Sequence, residues 1–279
     1  MKSSFKILAF LLLPFLGFSQ HFEAGILLGA SNYLGDLSNN SSAIYLGETK
    51  PAFGVLGRYN FNDLFALRLG INYTWVAGRD ANVKNDDFVR TRNLSFRSSI
   101  LEAGLIGEIN LPGYQPYGLY RPFSPYLFAG VALAKFNPKA RYQGNWVALH
   151  PLETEGTSYG TVTVAIPFGF GVKYAITDKI NVGLELGARA TLTDYLDDVS
   201  GVYASEGTLV NPLSIALADR SGELTGSVPT SKAGAQRGDA NGNDWYFILG
   251  ATISYNFLDN GLMGGRKRSR SRSGCKTGL

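Results

Sequence analysis

The stretch NVGLELGARATLT, residues 181–193, alternates strictly between two kinds of side chain. Every even position is apolar, from Val182 to Leu192, and every odd position is polar or glycine, from Asn181 to Thr193. A two-residue repeat sustained over this length predicts a long β-strand with one apolar and one polar face.

The same alternation recurs along the chain and predicts eight strands in all. It is clear in three further segments and weaker in four others: 66–75, 162–176 and 245–257, then 21–31, 52–61, 94–110 and 123–136. Strands of roughly 10–17 residues exceed the usual five or six of soluble sheets and suffice to cross a bilayer at a tilt. We therefore predict an all-β fold, an eight-stranded antiparallel up-and-down transmembrane β-barrel, over a secreted soluble β-sandwich.

The apolar faces of these strands end in aromatic residues, which outer-membrane barrels place at both lipid–water boundaries. The residues are Tyr59, Phe61, Tyr73, Trp75, Tyr174, Trp245, Tyr255 and Phe257. Short connections (60–64 and 176–179) alternate with long ones (32–50, 78–93, 137–159 and 194–243), and 111–122 is of moderate length. Outer-membrane barrels have short periplasmic turns and long extracellular loops, so we predict that both termini are periplasmic.

The two ends of the chain differ from its body. Residues 1–19 combine Lys2 and Lys6 with an apolar run and are predicted to be a secretory signal peptide. The barrel is predicted over 20–258, followed by a basic, flexible periplasmic tail over 259–279. Without the signal peptide and the last sixteen residues, 18 basic residues face 22 acidic ones, a net charge of −4. The basic isoelectric point therefore comes from the ends and does not indicate a nucleic-acid partner.

The polar faces of the predicted strands carry four acidic and four basic residues. They are Glu23, Arg58, Arg68, Glu102, Glu108, Lys173, Glu185 and Arg189. An eight-stranded barrel is just wide enough for its side chains to fill, and buried charges persist only when paired. The balance of charge predicts a packed salt-bridge core, which favours a closed barrel over the alternative of a small channel or ligand-binding barrel.

One loop histidine raises the question of catalysis. His150 lies near Glu153, Glu155 and Ser158 in the predicted loop 137–159. A histidine flanked by acidic residues in a loop is far more often solvated than catalytic, so a lipid hydrolase is only a minor alternative. We predict no catalytic residue and no cofactor.

The acidic segment TDYLDDVSG (193–201) contains Asp194, Tyr195, Asp197 and Asp198. It lacks the Asp-x-Asp-x-Asp-Gly spacing of a calcium loop, so a metal site is the minority interpretation. We interpret the four residues as a rim motif, where the chain leaves the barrel and folds back over its mouth towards interior or rim arginines.

The C-terminal sequence RKRSRSRS (266–273) is strongly cationic. It is either a solvated extension or an electrostatic docking arm for a periplasmic partner. The candidate docking residues are Arg266, Lys267, Arg268, Arg270 and Arg272. The lone cysteine of the chain, Cys275, cannot form an internal disulfide.

Seven segments in collinear order resemble a known family. They are GASNYLGDLS (29–38), PAFGVLGRYNFNDLFALRLGINY (51–73), RNLSFRSSILE (92–102), SPYLFAGVALAKFNPKARYQGNWVALHPLETEG (124–156), IPFGFGVKY (166–174), TDYLDDVSGVY (193–203) and NDWYFILGATISYNF (243–257). The chain is similar to the PorG-like outer-membrane β-barrels of the Bacteroidota type IX secretion system. The resemblance implies a non-enzymatic component of the protein secretion and gliding machinery, associated with the periplasmic PorK/PorN ring, and it carries over no catalytic residue.

Overall fold

The computed structural model describes residues 21–38, 46–83, 86–111, 122–224, 226–229 and 231–257. The predicted signal peptide and the predicted C-terminal tail lie outside the described residues. The strands are β1 (His21–Leu34), β2 (Lys50–Asn60), β3 (Phe65–Arg79), β4 (Ser95–Asn110), β5 (Phe123–Tyr142), β6 (Asn145–Ala148), β7 (Val162–Ala175), β8 (Ile180–Thr191) and β9 (Trp245–Phe257).

Two short helices lie in the long connections, α1 (Asp87–Arg92) and α2 (Pro212–Ala218). The Asp86 carboxylate caps α1 by accepting hydrogen bonds from the amides of Phe88 and Val89, and Asn93 ends it in the left-handed conformation. In the part of the chain that the structure describes, no helix has the length and apolar character needed to cross a bilayer.

Each long strand pairs antiparallel with the next long strand along the chain, and β9 pairs with β1 to close the barrel. The short β6 instead forms a hairpin with the end of β5. The predicted eight-stranded antiparallel up-and-down barrel is thereby confirmed. Its short turns lie at one end together with the start of β1 and the end of β9, and its long connections lie at the other, here called the mouth.

The prediction that residues 137–159 form a loop is wrong at its start. The strand β5 continues to Tyr142, and Gln143 and Gly144 turn the chain into β6 with φ values of 47° and 87°. Two consecutive positive φ values fit a tight hairpin turn whose twist matches that of its strands. The outward face of this extension is polar (Asn137, Lys139 and Arg141), so the apolar alternation that marks a strand disappears beyond the membrane.

The predicted end of the strand at Thr193 is also wrong, because β8 ends at Thr191. The Thr191 hydroxyl oxygen lies 2.7 Å from the main-chain carbonyl of Asp244 and 3.0 Å from that of Thr193, and its single proton is shared between these two acceptors. These bonds turn the chain at the barrel mouth, so that the following residues lie across the opening.

In the barrel wall the inner face is polar and the outer face is apolar, which is the reverse of a soluble protein. Along β8, Glu185 and Arg189 are buried inside the barrel, whereas Leu184 on the outer face is 52% exposed. The outer faces of β3, β5 and β7 continue the same apolar surface, with Leu69 at 60% and Phe170 at 58% exposed. A soluble protein rarely exposes a contiguous apolar band of this kind, whereas a barrel in lipid requires one.

Candidate functional site

A buried ion network fills the half of the barrel nearer the short turns. Glu108 on β4 is its centre and forms ion pairs with Arg58 (Nε–Oε2 2.9 Å), Arg68 (Nε–Oε1 3.2 Å) and Lys173. Arg58 also pairs with Glu23 at 2.6 Å, and Arg68 with Glu185 at 2.5 Å. Six charges from six different strands are therefore joined across the lumen.

Neutral polar groups add hydrogen bonds to this network. The Tyr126 hydroxyl donates a hydrogen bond to Glu185 (2.7 Å), and the Asn60 amide donates one to Glu23 (2.8 Å). The Lys173 ammonium donates to the Asn110 side chain at 2.9 Å and lies 4.4 Å from the centre of the Tyr126 ring. A buried carboxylate that accepts several hydrogen bonds can stay ionised inside a protein, and so can a buried cation that donates several. The free-energy cost of burying such paired ions is much smaller than that of burying unpaired ones.

The remaining two predicted interior charges form a second cluster closer to the mouth. Arg189 pairs with Glu102 (Nε–Oε2 3.3 Å), which also accepts hydrogen bonds from the Tyr246 hydroxyl (2.5 Å) and the Asn72 amide (2.6 Å). The structure thus places all eight predicted residues inside the barrel, each at most 3% exposed, and each with an oppositely charged partner.

An apolar layer lies above this second cluster and closes the mouth. Side chains from the strands, among them Ile100, Phe136 and Ile248, pack there in one buried cluster with Leu37, Leu196 and Val199 from the long connections. The connections therefore reach into the mouth and plug it with apolar side chains, while the lumen below is filled by ion pairs.

The rim motif is held over this plug by a tyrosine shared between two carboxyl groups. The Tyr33 hydroxyl oxygen lies 2.7 Å from Asp197 Oδ2 and 2.6 Å from Asp244 Oδ1. A hydroxyl has one proton, so it donates one of these hydrogen bonds and accepts the other from a protonated carboxyl group. Burial, together with nearby carboxylate charge, raises the pKa of both Asp197 and Asp244 well above the ordinary value, in agreement with a shared proton.

The other acidic residues of the motif face different partners. Asp198 accepts hydrogen bonds of 2.5 Å from the hydroxyls of Thr154 and Tyr159, and the Tyr159 ring stacks on Tyr195 with centroids 4.4 Å apart. Asp194 is 8% exposed, and its Oδ2 has no hydrogen-bond partner among the described residues. The motif was expected to meet arginines, but hydroxyl groups bind the Asp197 and Asp198 carboxyls, while Arg237 binds the Asp198 main-chain carbonyl at 2.7 Å.

Two buried arginines join the long connections into a cap over the mouth, defined here as residues 35–38, 80–94, 149–161 and 192–244 where described. Arg92, at the end of α1, forms a two-pronged ion pair with Asp80 (both contacts 2.8 Å) and donates to the main-chain carbonyls of Asp36 and Arg237. Arg237 donates to Glu155 (2.9 Å) and to the Ala218 carbonyl (3.1 Å). The long connections of the cap are thus joined to one another by buried hydrogen bonds and ion pairs and are not independent loops.

The cap should become less stable as the pH rises from about 4 to 7. Burial, followed by the charges of Asp36, Glu155 and Asp239, raises the pKa of Asp194 from 3.8 to about 7. Across this range the folded cap retains a proton that the opened cap releases, so the free energy of opening is greatest at low pH and falls as the pH approaches 7. Each pH unit between 5 and 7 changes the opening constant about ten-fold, so amide hydrogen exchange in residues 192–201, corrected for intrinsic rates, should show opening increasing about a hundred-fold between pH 5 and 8.

The variant Asp194→Asn should reduce this pH dependence, because it removes one of the titrating groups. Asp178→Asn in the exposed turn between β7 and β8 is the matched control and should leave the slope unchanged. Equal slopes in the Asp194→Asn variant and the unaltered protein would show that Asp194 does not titrate in the cap as described.

His150 is not arranged as a catalytic base. Its Nε2 atom is hydrogen-bonded to the main-chain carbonyl of Tyr159 (2.9 Å), and its ring packs edge-on against the Tyr159 ring. Glu155 accepts hydrogen bonds from the amides of Ser200 and Gly201, so it supports the cap rather than the histidine. Within the described residues, no group of three or more carboxylate, imidazole or thiol side chains is placed to hold a metal ion.

Sequence reasoning missed the groups that organise the cap. Tyr33, Asp80, Arg92, Arg237 and Asp244 come from three separate segments, and loops lack the periodicity that identifies a strand face. One usable signal is the position of Asp244, directly before the clear alternation of 245–257. The predicted docking residues of the tail, from Arg266 to Arg272, lie outside the described residues.

The outward aromatic residues form a girdle at each edge of the apolar band. Near the short turns, Phe22 packs against Phe257 (5.7 Å between centroids), and Tyr59 against Phe61 (4.9 Å). Near the mouth, Trp75 packs against Tyr73 (4.7 Å). A closed antiparallel barrel with a lipid-facing apolar band between two aromatic girdles is a small outer-membrane β-barrel protein, inserted in the bilayer through its wall.

Several solved structures are similar to this chain. Neisserial surface protein A (NspA) is 13% identical, with 86% of this chain and 98% of that chain covered and a TM-score of 0.41. The outer membrane protein OprG from Pseudomonas aeruginosa is 12% identical (85% and 95% covered, TM-score 0.37). Ail, the attachment invasion locus protein of Yersinia pestis, is 9% identical (85% and 99% covered, TM-score 0.38). At such identities the likeness extends to the fold alone.

No curated protein shows significant sequence similarity to the chain. A family model does match, and it covers residues 2–210, well over half of the sequence, from the N-terminal region into the cap after β8. Its description is Domain of unknown function (DUF6089), and the chain is a member of that family.

Proposed function

We propose that this protein is a non-enzymatic scaffold in the outer membrane, which anchors a larger assembly rather than transporting a solute or catalysing a reaction. One observation carries the proposal: the lumen is filled by paired charges and the mouth by an apolar plug. A barrel filled in this way can act only through its surfaces, which are the cap, the lipid-facing wall and the short-turn end.

The sequence resemblance to PorG-like barrels suggests which assembly is anchored. We infer that the protein belongs to the type IX protein secretion and gliding machinery and that it docks the periplasmic PorK/PorN-type ring. In this arrangement both termini are periplasmic and the cap is extracellular. The basic tail, with Arg266, Lys267, Arg268, Arg270 and Arg272, makes the electrostatic contact to the ring.

Deletion of residues 264–279 should weaken crosslinking between the barrel and a periplasmic PorK/PorN-type ring in intact outer membranes. Replacement of the five tail cations with glutamine should weaken it similarly if charge makes the contact, and higher salt should weaken the contact of the unaltered protein. Glutamine at the cap cation Lys232 provides a control of similar chemistry at the opposite end of the barrel.

Two results would contradict parts of this proposal. Unchanged crosslinking after the deletion would move the contact to the short turns or to the connection 111–122. Failure to recover ring components with the unaltered protein, under conditions that preserve known outer-membrane complexes, would refute the assignment to the secretion machinery while leaving the closed barrel untouched.

A further inference from the structure

A shallow pocket of about 270 Å³ opens on the outer face of the barrel near the mouth. It is lined by residues of β3, β4, β5 and β6: Tyr73, Trp75, Arg97, Asn137, Lys139 and Trp146, together with Ser99. The pocket thus lies on the wall of the barrel, separate from the filled lumen and from the hydrogen-bonded centre of the cap.

Two cations face each other across neighbouring strands in this pocket. Arg97 on β4 and Lys139 on β5 are direct partners in the strand register, and like charges in this position repel each other. Among the described residues, neither side chain forms an ion pair with a carboxylate. The nearest comparable cation on β3, Arg79, has such a partner in Glu48 at 3.6 Å. The Arg97–Lys139 pair therefore presents uncompensated positive charge.

Aromatic rings hold Arg97 in place. Its guanidinium carbon lies 5.6 Å from the centre of the Trp75 ring and 5.9 Å from that of Trp146. Trp146 reaches this position because the hairpin of β5 and β6 extends beyond the barrel wall. Contacts with two rings restrict the guanidinium, so its planar set of N–H donors is partly pre-organised for a phosphate group.

The pocket lies directly at the edge of the lipid-facing band. Two positions further from the mouth than Lys135, the outer face of β5 becomes apolar with Leu133, which is 60% exposed. The outer face of β4 likewise changes from Arg97 and Ser99 to Leu101, which is 47% exposed. An anion bound beside Arg97 and Lys139 can therefore be attached to acyl chains that lie along Leu101 and Leu133, and a lipid headgroup meets this condition.

We propose that this pocket binds the phosphate-bearing headgroup of an anionic membrane lipid in the leaflet on the mouth side. Arg97 and Lys139 neutralise the phosphate, the amide of Asn137 and the hydroxyl of Ser99 supply neutral hydrogen bonds, and the two tryptophans pack along the glycerol and upper acyl region. The site does not depend on the proposed secretion role, because it follows from the barrel wall alone.

Tryptophan fluorescence offers a direct test, because two of the three tryptophans line the pocket. The full-length protein with Trp245→Phe is reconstituted into phosphatidylcholine bilayers that contain brominated phosphatidylglycerol or brominated phosphatidylcholine. Each cation at a membrane surface favours an anionic lipid by about five-fold, so brominated phosphatidylglycerol should quench at a mole fraction at least about five-fold lower.

The double variant Arg97→Gln/Lys139→Gln should quench equally with both brominated lipids. Lys179→Gln, which removes an exposed cation at the opposite edge of the barrel, should retain the preference for the anionic lipid. Folding of each variant is checked by its faster migration in unheated gels, and the single variant Arg97→Gln, with a partial loss of preference, substitutes if the double variant does not fold.

Three results would overturn the proposal. The first is equal quenching by the two lipids in the Trp245→Phe protein, and the second is an unchanged preference in the folded double variant. The third is reversal of the phosphatidylglycerol effect by millimolar inorganic phosphate, which would identify a site for a soluble anion rather than for a lipid.

Discussion

Replacing Glu108 with alanine will lower the free energy of unfolding of the barrel by about 3–5 kcal/mol. Glu108 is buried and forms ion pairs with Arg58, Arg68 and Lys173 on three other strands. Its removal leaves the three cations of this network with two carboxylates, Glu23 and Glu185, to balance them. Urea unfolding of the refolded barrel in lipid vesicles, followed by tryptophan fluorescence, measures the change.

The matched control for this experiment is Glu206→Ala, which removes an exposed glutamate of the cap. Its effect should remain within about 0.5 kcal/mol, as for most surface substitutions. Similar small effects of Glu108→Ala and Glu206→Ala would contradict the stabilising role of the buried ion network.

Replacing Arg92 with alanine will open the cap while leaving the barrel folded. The substitution removes the two contacts to Asp80, which is fully buried, and the contacts that tie the Asp36 and Arg237 carbonyls to α1. An uncompensated buried carboxylate costs about 3 kcal/mol or more, so exchange of amide hydrogens in residues 80–94 and 192–244 should accelerate about a hundred-fold or more.

Arg90→Ala is the control for this second experiment, because Arg90 lies two residues earlier on the same helix. It is exposed and pairs with Asp87, itself 89% exposed at its side chain, and such surface pairs contribute little. Hydrogen exchange in the barrel strands should stay slow in both variants. Equal protection of the cap in Arg92→Ala and Arg90→Ala would contradict the role of Arg92 as a link between three connections.

The wall of the barrel could be predicted from sequence because lipid and lumen impose opposite demands on neighbouring residues. In 181–193 apolar residues alternate with polar residues or glycine at every position. This pattern predicts the strand, its lipid-facing side, and the inward direction of Glu185 and Arg189. The partners of these charges could not be predicted in the same way. Glu108 meets Lys173 because β4 and β7 flank β5 on either side, so that their inward side chains converge over it inside the barrel.

Where the chain leaves the membrane, the outward residues of a strand are no longer apolar. The alternation that predicts strands therefore ends there. The extension of β5 carries polar residues outward, so the hairpin with β6 was missed although Gln143–Gly144 is a reasonable turn sequence. In the same region the sequence of the rim motif does not reveal which groups bind its carboxyl groups. The structure buries Asp197 and Asp198 because Tyr33, Thr154 and Tyr159 supply hydroxyls from other connections.

The pocket around Arg97 illustrates the same limit. Trp75 ends a clear alternation and was expected at the lipid boundary, whereas Trp146 belongs to the hairpin that the sequence pattern did not reveal. Their convergence on Arg97 results from the strand register between β3, β4 and β5 and from the length of β5.

The closed state of the barrel is the claim on which the proposed scaffold role depends. Planar-bilayer recording of the purified, refolded full-length protein tests it most directly. A lumen filled by the Glu108 network and a mouth plugged by Leu37, Leu196 and Val199 predict no steady single-channel conductance, with or without an applied voltage of either sign. A reproducible, steady conductance step from the folded barrel would contradict the account and favour a small channel.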